Sequence, residues 1–438
     1  MSVWWDKDLP PDGLLRTGGR PSRRPNGPVE PRYYSEVFRA LTSISCAVQV
    51  RKPFLLGSIA LTLAVAGGAT AALAAAPTVP ASPAPLFPLE LRALVPLGAP
   101  PLDAPTSDGH LVFVPLRPAT LLAVSLATGT VAWRSELGIV HAPVVGSGKL
   151  FVLTQDTLEA LDATTGAASW RLPLAAAPAA APTVTPDLVF VALASGELVA
   201  ATPADGTVAW RVGVGGALRG QPQVLGDRVL VALDDGRVVS LSRTSGAKMW
   251  EQRLAGAVTG LAGAKDNVYA GSLDNFFYCL DAASGRIKWR WRTGGDLVGT
   301  ASVDDERVYF VSMDNIIRAL DRRTGVQKWT KPLAGRPVVG PLRVGDTLLL
   351  PSLSSELRGV KAESGDAAGR YDMGSELGAA LVFAPGTWAA EDQLIAVSTD
   401  GTLLVLGRRL SLGVAPLTAL PGVPTDITAS PPPQEPQG

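Results

Sequence analysis

Few side chains in this sequence could do chemistry. There are two histidines, His110 and His141, and two cysteines, Cys46 and Cys279. A zinc site draws three or four protein ligands, so two imidazoles alone do not build one. Asp234-Asp235-Gly236, Asp274-Asn275 and Asp314-Asn315 supply the carboxylate and amide oxygens that a hard cation prefers. Each, however, lies between two apolar runs, where an Asp-Asn or Asp-Gly pair is what a two-residue hairpin requires. Asp162, Asp281 and Asp321 likewise open tight turns, where a short carboxylate bonds nearby backbone N–H groups. No Gly-x-Ser-x-Gly, phosphate loop or His-Glu-x-x-His occurs. The sequence nominates no catalytic, cofactor-binding or metal-binding residue, and the chain is expected not to be an enzyme.

Those turns recur on a period. In "IIRALDRRTGVQKW" (316–329) a short strand runs into an Asp-x-x-Thr-Gly turn and out into a second strand anchored by Trp329. The turn glycine repeats as Gly129, Gly166, Gly206, Gly246, Gly285, Gly325 and Gly365, at intervals of 37, 40, 40, 39, 40 and 40 residues. The anchor repeats as Trp133, Trp170, Trp210, Trp250, Trp289 and Trp329, and Gly369 replaces it in the seventh copy. Six of the ten tryptophans thus hold one repeat position, which points to packing between repeats and not to cofactor stacking. Trp291 and Trp388 fall outside the pattern; local packing is the expected role of each.

Four short strands per period of about 40 residues describe a β-propeller blade. Residues 376–406 supply three strands of an eighth blade without the Thr-Gly hairpin. The missing fourth strand is expected from "LRALVPL" (91–97) at the front, closing the ring and removing an exposed edge. The alternative is "RRLSLGV" (408–414), with no cross-terminal pairing. The fold class expected is all-β: an eight-bladed propeller of four-stranded antiparallel blades over residues 91–413, with a tail over 414–438.

The front end differs in kind. Residues 1–52 carry nine Lys/Arg and five Asp/Glu among many Pro and Gly, and read as a mostly disordered segment. Phe54–Ala76 is a run of 23 residues without charge, long enough to span a bilayer as a helix over 53–76. Arg51 and Lys52 before it keep residues 1–52 in the cytoplasm and send the propeller outside the inner membrane. Ala72, Ala74 and Ala76 would alternatively serve as the cut site of a cleavable signal. Residues 77–90 read as a Pro-rich linker. Cys46 and Cys279 then face different compartments and cannot pair; Cys279, in a strand, is expected to be a buried thiol. The 39 basic and 39 acidic side chains cancel, and no basic block marks the repeats, so nucleic acid is not an expected partner.

The repeated "ALDxxTGxxxW" resembles the pyrroloquinoline-quinone-type propeller repeat. That family includes quinoprotein dehydrogenases and the BamB-like scaffolds of outer-membrane β-barrel assembly. The segment 212–250 is similar to the blade on which BamB-like proteins carry a Leu-x-Leu-Arg-Gly loop that holds the barrel-inserting subunit. Leu218, Arg219 and Gly220 match; Gly216 stands where the first leucine would be, and the next loop, "LAGAVTGLAG", has no carboxylate. The dehydrogenase branch implies a Cys-Cys pair beside a quinone, a calcium and an Asp base; this sequence has no Cys-Cys. The BamB-like branch implies a lipid-bearing cysteine after an apolar run, whereas Cys46 precedes the run. The resemblance implies a non-catalytic scaffold that binds barrel-assembly subunits; the apolar run 53–76 would tether it with the propeller in the periplasm, and the loops between blades offer Leu218, Arg219, Asp296 and Arg336 as anchors for the partner. The alternatives from other classes are a quinone-dependent oxidoreductase, or a ligand sensor signalling through the helix to residues 1–52.

Overall fold

The computed structural model describes residues 85–384 and 392–409. Each repeat forms one four-stranded antiparallel sheet, and there are eight. Blade 6 shows the pattern: strands Leu297–Val303, Arg307–Ser312, Ile316–Asp321 and Gln327–Pro332, paired in chain order from the innermost to the outermost. Blades 1 to 5 occupy residues 106–136, 144–173, 183–213, 218–253 and 258–292, and blade 7 occupies 342–372. The second and third strands are nearly all buried, as expected of runs such as "VYFVS" and "IIRAL" that are covered on both faces.

The hairpin signals behave as turn chemistry predicts. Asn275 and Asn315 adopt φ of 64° and 59°, the left-handed conformation of a tight two-residue turn. Asp321 Oδ1 accepts the backbone N–H groups of Arg323 and Thr324, at 3.1 and 2.9 Å, and so caps the Thr-Gly turn. Asp162 does the same with the Thr164 and Thr165 N–H groups, and Asp281 accepts the Ser284 N–H.

The tryptophans join one blade to the next. A methyl group added to the turn glycine of the following blade would lie within 2.8 Å of the indole in all six cases, from Gly166 under Trp133 to Gly365 under Trp329. Only glycine lets the ring lie that flat on the turn, and its positive φ fits the turn at no steric cost. Five indoles also donate Nε1–H to a carbonyl of the next blade, at 2.9–3.0 Å: Trp133 to Ala163, Trp170 to Pro203, Trp210 to Arg243, Trp250 to Ala282 and Trp329 to Ala362. Trp289 is the exception. Its expected acceptor, the Arg322 carbonyl, is taken by the Tyr269 hydroxyl at 2.8 Å and by Asn267 Nδ2 at 3.1 Å, which leaves the indole N–H without a partner.

The ring closes through the front of the chain. Leu89–Pro96 pairs antiparallel with Thr402–Arg408 and completes blade 8, whose other strands are Val382–Ala384 and Gln393–Val397. An apolar cluster fills each of the eight seams, the last joining blade 8 (Val95, Ile395, Leu403) to blade 1 (Val112, Val114, Leu122). The propeller starts earlier than the sequence suggested. Leu86, Phe87 and Leu89, placed in a linker by their Pro-rich setting, are buried between blades 7 and 8. The helix expected over 53–76 lies outside the described residues, as do residues 1–52, the tail 414–438 and Trp388. Among the described residues no helix is long and apolar enough to cross a membrane.

Candidate functional site

One face of the propeller carries the loops from the outer strand of each blade to the inner strand of the next, together with the hairpins between second and third strands. A repeated backbone bond fixes their relation. The hairpin's first N–H donates to a loop carbonyl: Asp234 to Ala217, Leu273 to Ala257, Met313 to Asp296, Leu353 to Arg336 and Thr399 to Glu376. Asp296 and Arg336 therefore hold the same repeat position in blades 6 and 7, and Arg219 sits two residues past that position in blade 4.

The four residues nominated by sequence do not share one fate. Arg219 is at the surface, its guanidinium 3.1 Å from the Asp234 carboxylate of its own blade's hairpin. Arg336 is exposed and Asp296 half-buried, and among the described residues neither side chain has a bonded partner. Leu218 is the correction: it is 5% exposed and packs in the seam of blades 3 and 4 with Phe190, Val229 and Leu233. Leu218 opens the inner strand Leu218–Leu225, and strand alternation turns its side chain inward while Arg219 turns outward. The face brings Arg219, Asp296 and Arg336 onto one surface in different blades; it does not gather them into one pocket.

Sequence reasoning missed an apolar arc on this face. The first hairpin residue is Leu273, Met313 and Leu353 in blades 5, 6 and 7, exposed to 43, 42 and 55%. The equivalent positions elsewhere are Arg117, Thr154, Ala194, Asp234 and Thr399. Aligning the hairpins by repeat would have revealed the switch from polar or small to large apolar. Val338, in the loop entering blade 7, extends the arc.

The carboxylates that resemble metal ligands are occupied. Asp274 accepts from Tyr278 Oη at 2.5 Å and from the Phe276 N–H. Burial alone would raise the Asp314 carboxyl, but the Arg318 guanidinium, the Ser312 hydroxyl and the Gly294 N–H pull it down to about 2. Cys279 is fully buried in the seam of blades 5 and 6, and that burial pushes its thiol up to about 12, so it stays protonated and inert at neutral pH. At the hub of blades 5 to 7 the inner strands meet backbone to backbone. A side chain on Gly260 would strike the Gly299 carbonyl, and one on Gly340 the Thr300 carbonyl. Among the described residues no three His, Cys, Asp or Glu converge. These residues do not assemble the carboxylate, amide and cysteine set that a calcium–quinone centre would need.

The sequence profile described as "Outer membrane protein assembly factor BamB" matches residues 90–173, 154–258 and 234–409, which together take in the whole propeller. The chain belongs to this family. Among curated protein sequences none matches it. Among solved structures, BamB from Moraxella catarrhalis is 21% identical over 74% of this chain and 98% of its own, with a TM-score of 0.60. The computationally designed Ika8 protein is 16% identical, covering 72% and 98%, with a TM-score of 0.63. Quinohemoprotein alcohol dehydrogenase from Comamonas testosteroni is 13% identical, covering 74% and 77%, with a TM-score of 0.62. At such identities the likeness is one of fold. In this BamB-family member the Leu218-Arg219-Gly220 segment opens the inner strand of blade 4 with its leucine in the core.

Proposed function

We propose that this protein is a non-catalytic scaffold, tethered to the inner membrane through residues 53–76, whose periplasmic propeller grips protein partners in outer-membrane β-barrel assembly. Membership of the BamB family over residues 90–409 supports the choice among functions. The observation that carries the reading is the contrast between hub and rim. Towards the axis of blades 5 to 7 neighbouring segments pack backbone against backbone, and the hairpin carboxylates Asp274 and Asp314 are held by hydrogen bonds and an ion pair. The rim, by contrast, presents Asp296 and Arg336, which have no bonded partner among the described residues, in the same arc as exposed Leu273, Met313 and Leu353. Exposed apolar side chains bordered by charge are what a protein interface uses, and arginine is a frequent hot spot within one.

The test is purification of the full chain from membranes, with its co-purifying proteins identified by mass spectrometry. Recovery of barrel-assembly subunits, weakened by Arg219→Glu or Arg336→Glu, is the expected result. Recovery of a cytoplasmic signalling protein alone, or calcium- and quinone-dependent dye reduction by the purified chain, would overturn the reading in favour of a sensor or an oxidoreductase.

A further inference from the structure

We propose that the cavity between blades 6 and 7 is the receptor for an extended segment of a partner protein in which an apolar side chain is flanked by carboxylates. The proposal rests on the scaffold reading and specifies where on the rim, and for what chemistry, the partner is held.

The cavity measures about 560 Å³, within the range of side-chain and small-ligand pockets. The loop entering blade 7 forms one side of it. In blade 6 the inner strand spans Leu297–Val303, whereas in blade 7 it is cut to Leu342–Val344. Pro332, Pro337 and Pro341 bracket the loop, and proline has no N–H to give to a ladder. Residues 338–341 therefore lie off the sheet, and a single bridge, Pro337 to Ser352, holds this end. The second strand stops at Leu350, before Pro351. The seam stands open where the ladder fails, walled by Leu333, Val339 and Leu350 together with the prolines. Backbone left off the ladder beside an apolar hollow suits an extended chain, which adds main-chain bonds to the side chain it buries.

Charge selects the occupant. Three cations, Lys331, Arg358 and Arg370, line this cavity against one carboxylate, Asp366; just outside it lie Arg336, Glu356 and the cross-strand neighbour of Glu356, Asp372. Lys331 pairs with Asp366 at 3.0 Å, while Arg358 and Arg370 must share Glu356. Arg336 lies between two lining residues, Gly335 and Pro337, is exposed, and its guanidinium has no bonded partner among the described residues. The surplus is positive, so the complementary segment is acidic. Leu353 and Val338, both exposed beside the opening, extend the apolar contact. This sector is separate from Arg219, whose guanidinium already pairs within blade 4.

A displayed library of random dodecapeptides, selected on the immobilised full chain, tests this. The selected sequences should place a large apolar residue beside Asp or Glu. A synthetic selected peptide should lose affinity by about ten-fold or more with Arg336→Glu. Ala334→Trp, made at an exposed lining residue to fill the opening, should abolish binding, while Arg323→Glu, at an exposed turn on the opposite face, should leave it unchanged. Unaltered melting temperatures of the variants would show that they fold. The proposal falls if no peptide is enriched, if enriched peptides lack carboxylates, or if Ala334→Trp binds normally. It also falls if peptide binds only after deletion of residues 410–438, or if the chain self-associates and Ala334→Trp abolishes that; the occupant would then be its own tail or a second copy. Partner recovery from membranes that persists in Ala334→Trp would remove this site and leave the scaffold reading standing.

Discussion

Phe87 lies against Gly369, the position where blade 7 lacks its tryptophan. A side chain on Gly369, or on its cross-strand neighbour Gly359, would run into the Phe87 ring. The aromatic that wedges blade 7 against blade 8 thus comes from the front of the chain, two residues before the strand that closes the ring. One segment, residues 86–96, supplies both the wedge of one seam and the outer strand of the last blade.

Phe87→Ala should lower stability by about 3 kcal/mol, as for other buried phenylalanines cut to alanine. Gly369→Trp alone should also destabilise, because two rings would compete for one space. The pair Phe87→Ala with Gly369→Trp should be more stable than the sum of the single effects. Chemical denaturation of the four proteins measures this coupling, and strict additivity would deny that Phe87 stands in for the tryptophan.

Trp329 and Trp289 make a controlled comparison. Both cover a turn glycine, but only Trp329 places its N–H on a carbonyl. Trp329→Phe should cost about 1 kcal/mol more than Trp289→Phe, the worth of a buried hydrogen bond. At Trp289 the change also removes an unsatisfied donor. Equal losses in the two variants would contradict the assignment of the Arg322 carbonyl to Tyr269.

Acid should act through Asp314. Its carboxyl is held down at about 2 in the folded chain, against about 3.9 when unfolded. A depressed folded value gives stability that is present above the unfolded value and is lost as pH falls from about 4 through about 2. Asp314→Asn should therefore cost about 2 kcal/mol at pH 7, because it strips the buried Arg318 of its counter-charge. The gap to wild type should shrink towards zero near pH 2. Urea midpoints at pH 7, 4 and 2 would show it, and a gap that stayed constant would contradict the pairing.

What the sequence made legible was whatever repeated. The spacing of Gly325 and Trp329 with their counterparts gave blade number and strand order, because one local motif serves one purpose at each seam. Strand 91–97 was legible as the clasp because blade 8 came up one strand short. Phe87 was hidden, since it replaces a residue 282 positions away in sequence and sits in a stretch whose prolines suggest a linker. Leu218 was misread because a motif match places a residue on a loop without fixing its strand phase, and one step of phase separates core from surface. The cavity of blades 6 and 7 is lined by residues spread from Val311 to Arg370, which no single residue announces.

Photo-crosslinking in living cells tests the central claim, that the loop face of the propeller is its working surface. p-Benzoylphenylalanine would be placed at Met313, Arg336 and Leu353 on that face, and at Lys248, Arg323 and Val326 near the Thr-Gly turns on the other. Discrete adducts with barrel-assembly subunits from the first set, and none from the second, are predicted. Adducts from the turn side alone, or from neither side, would contradict the account.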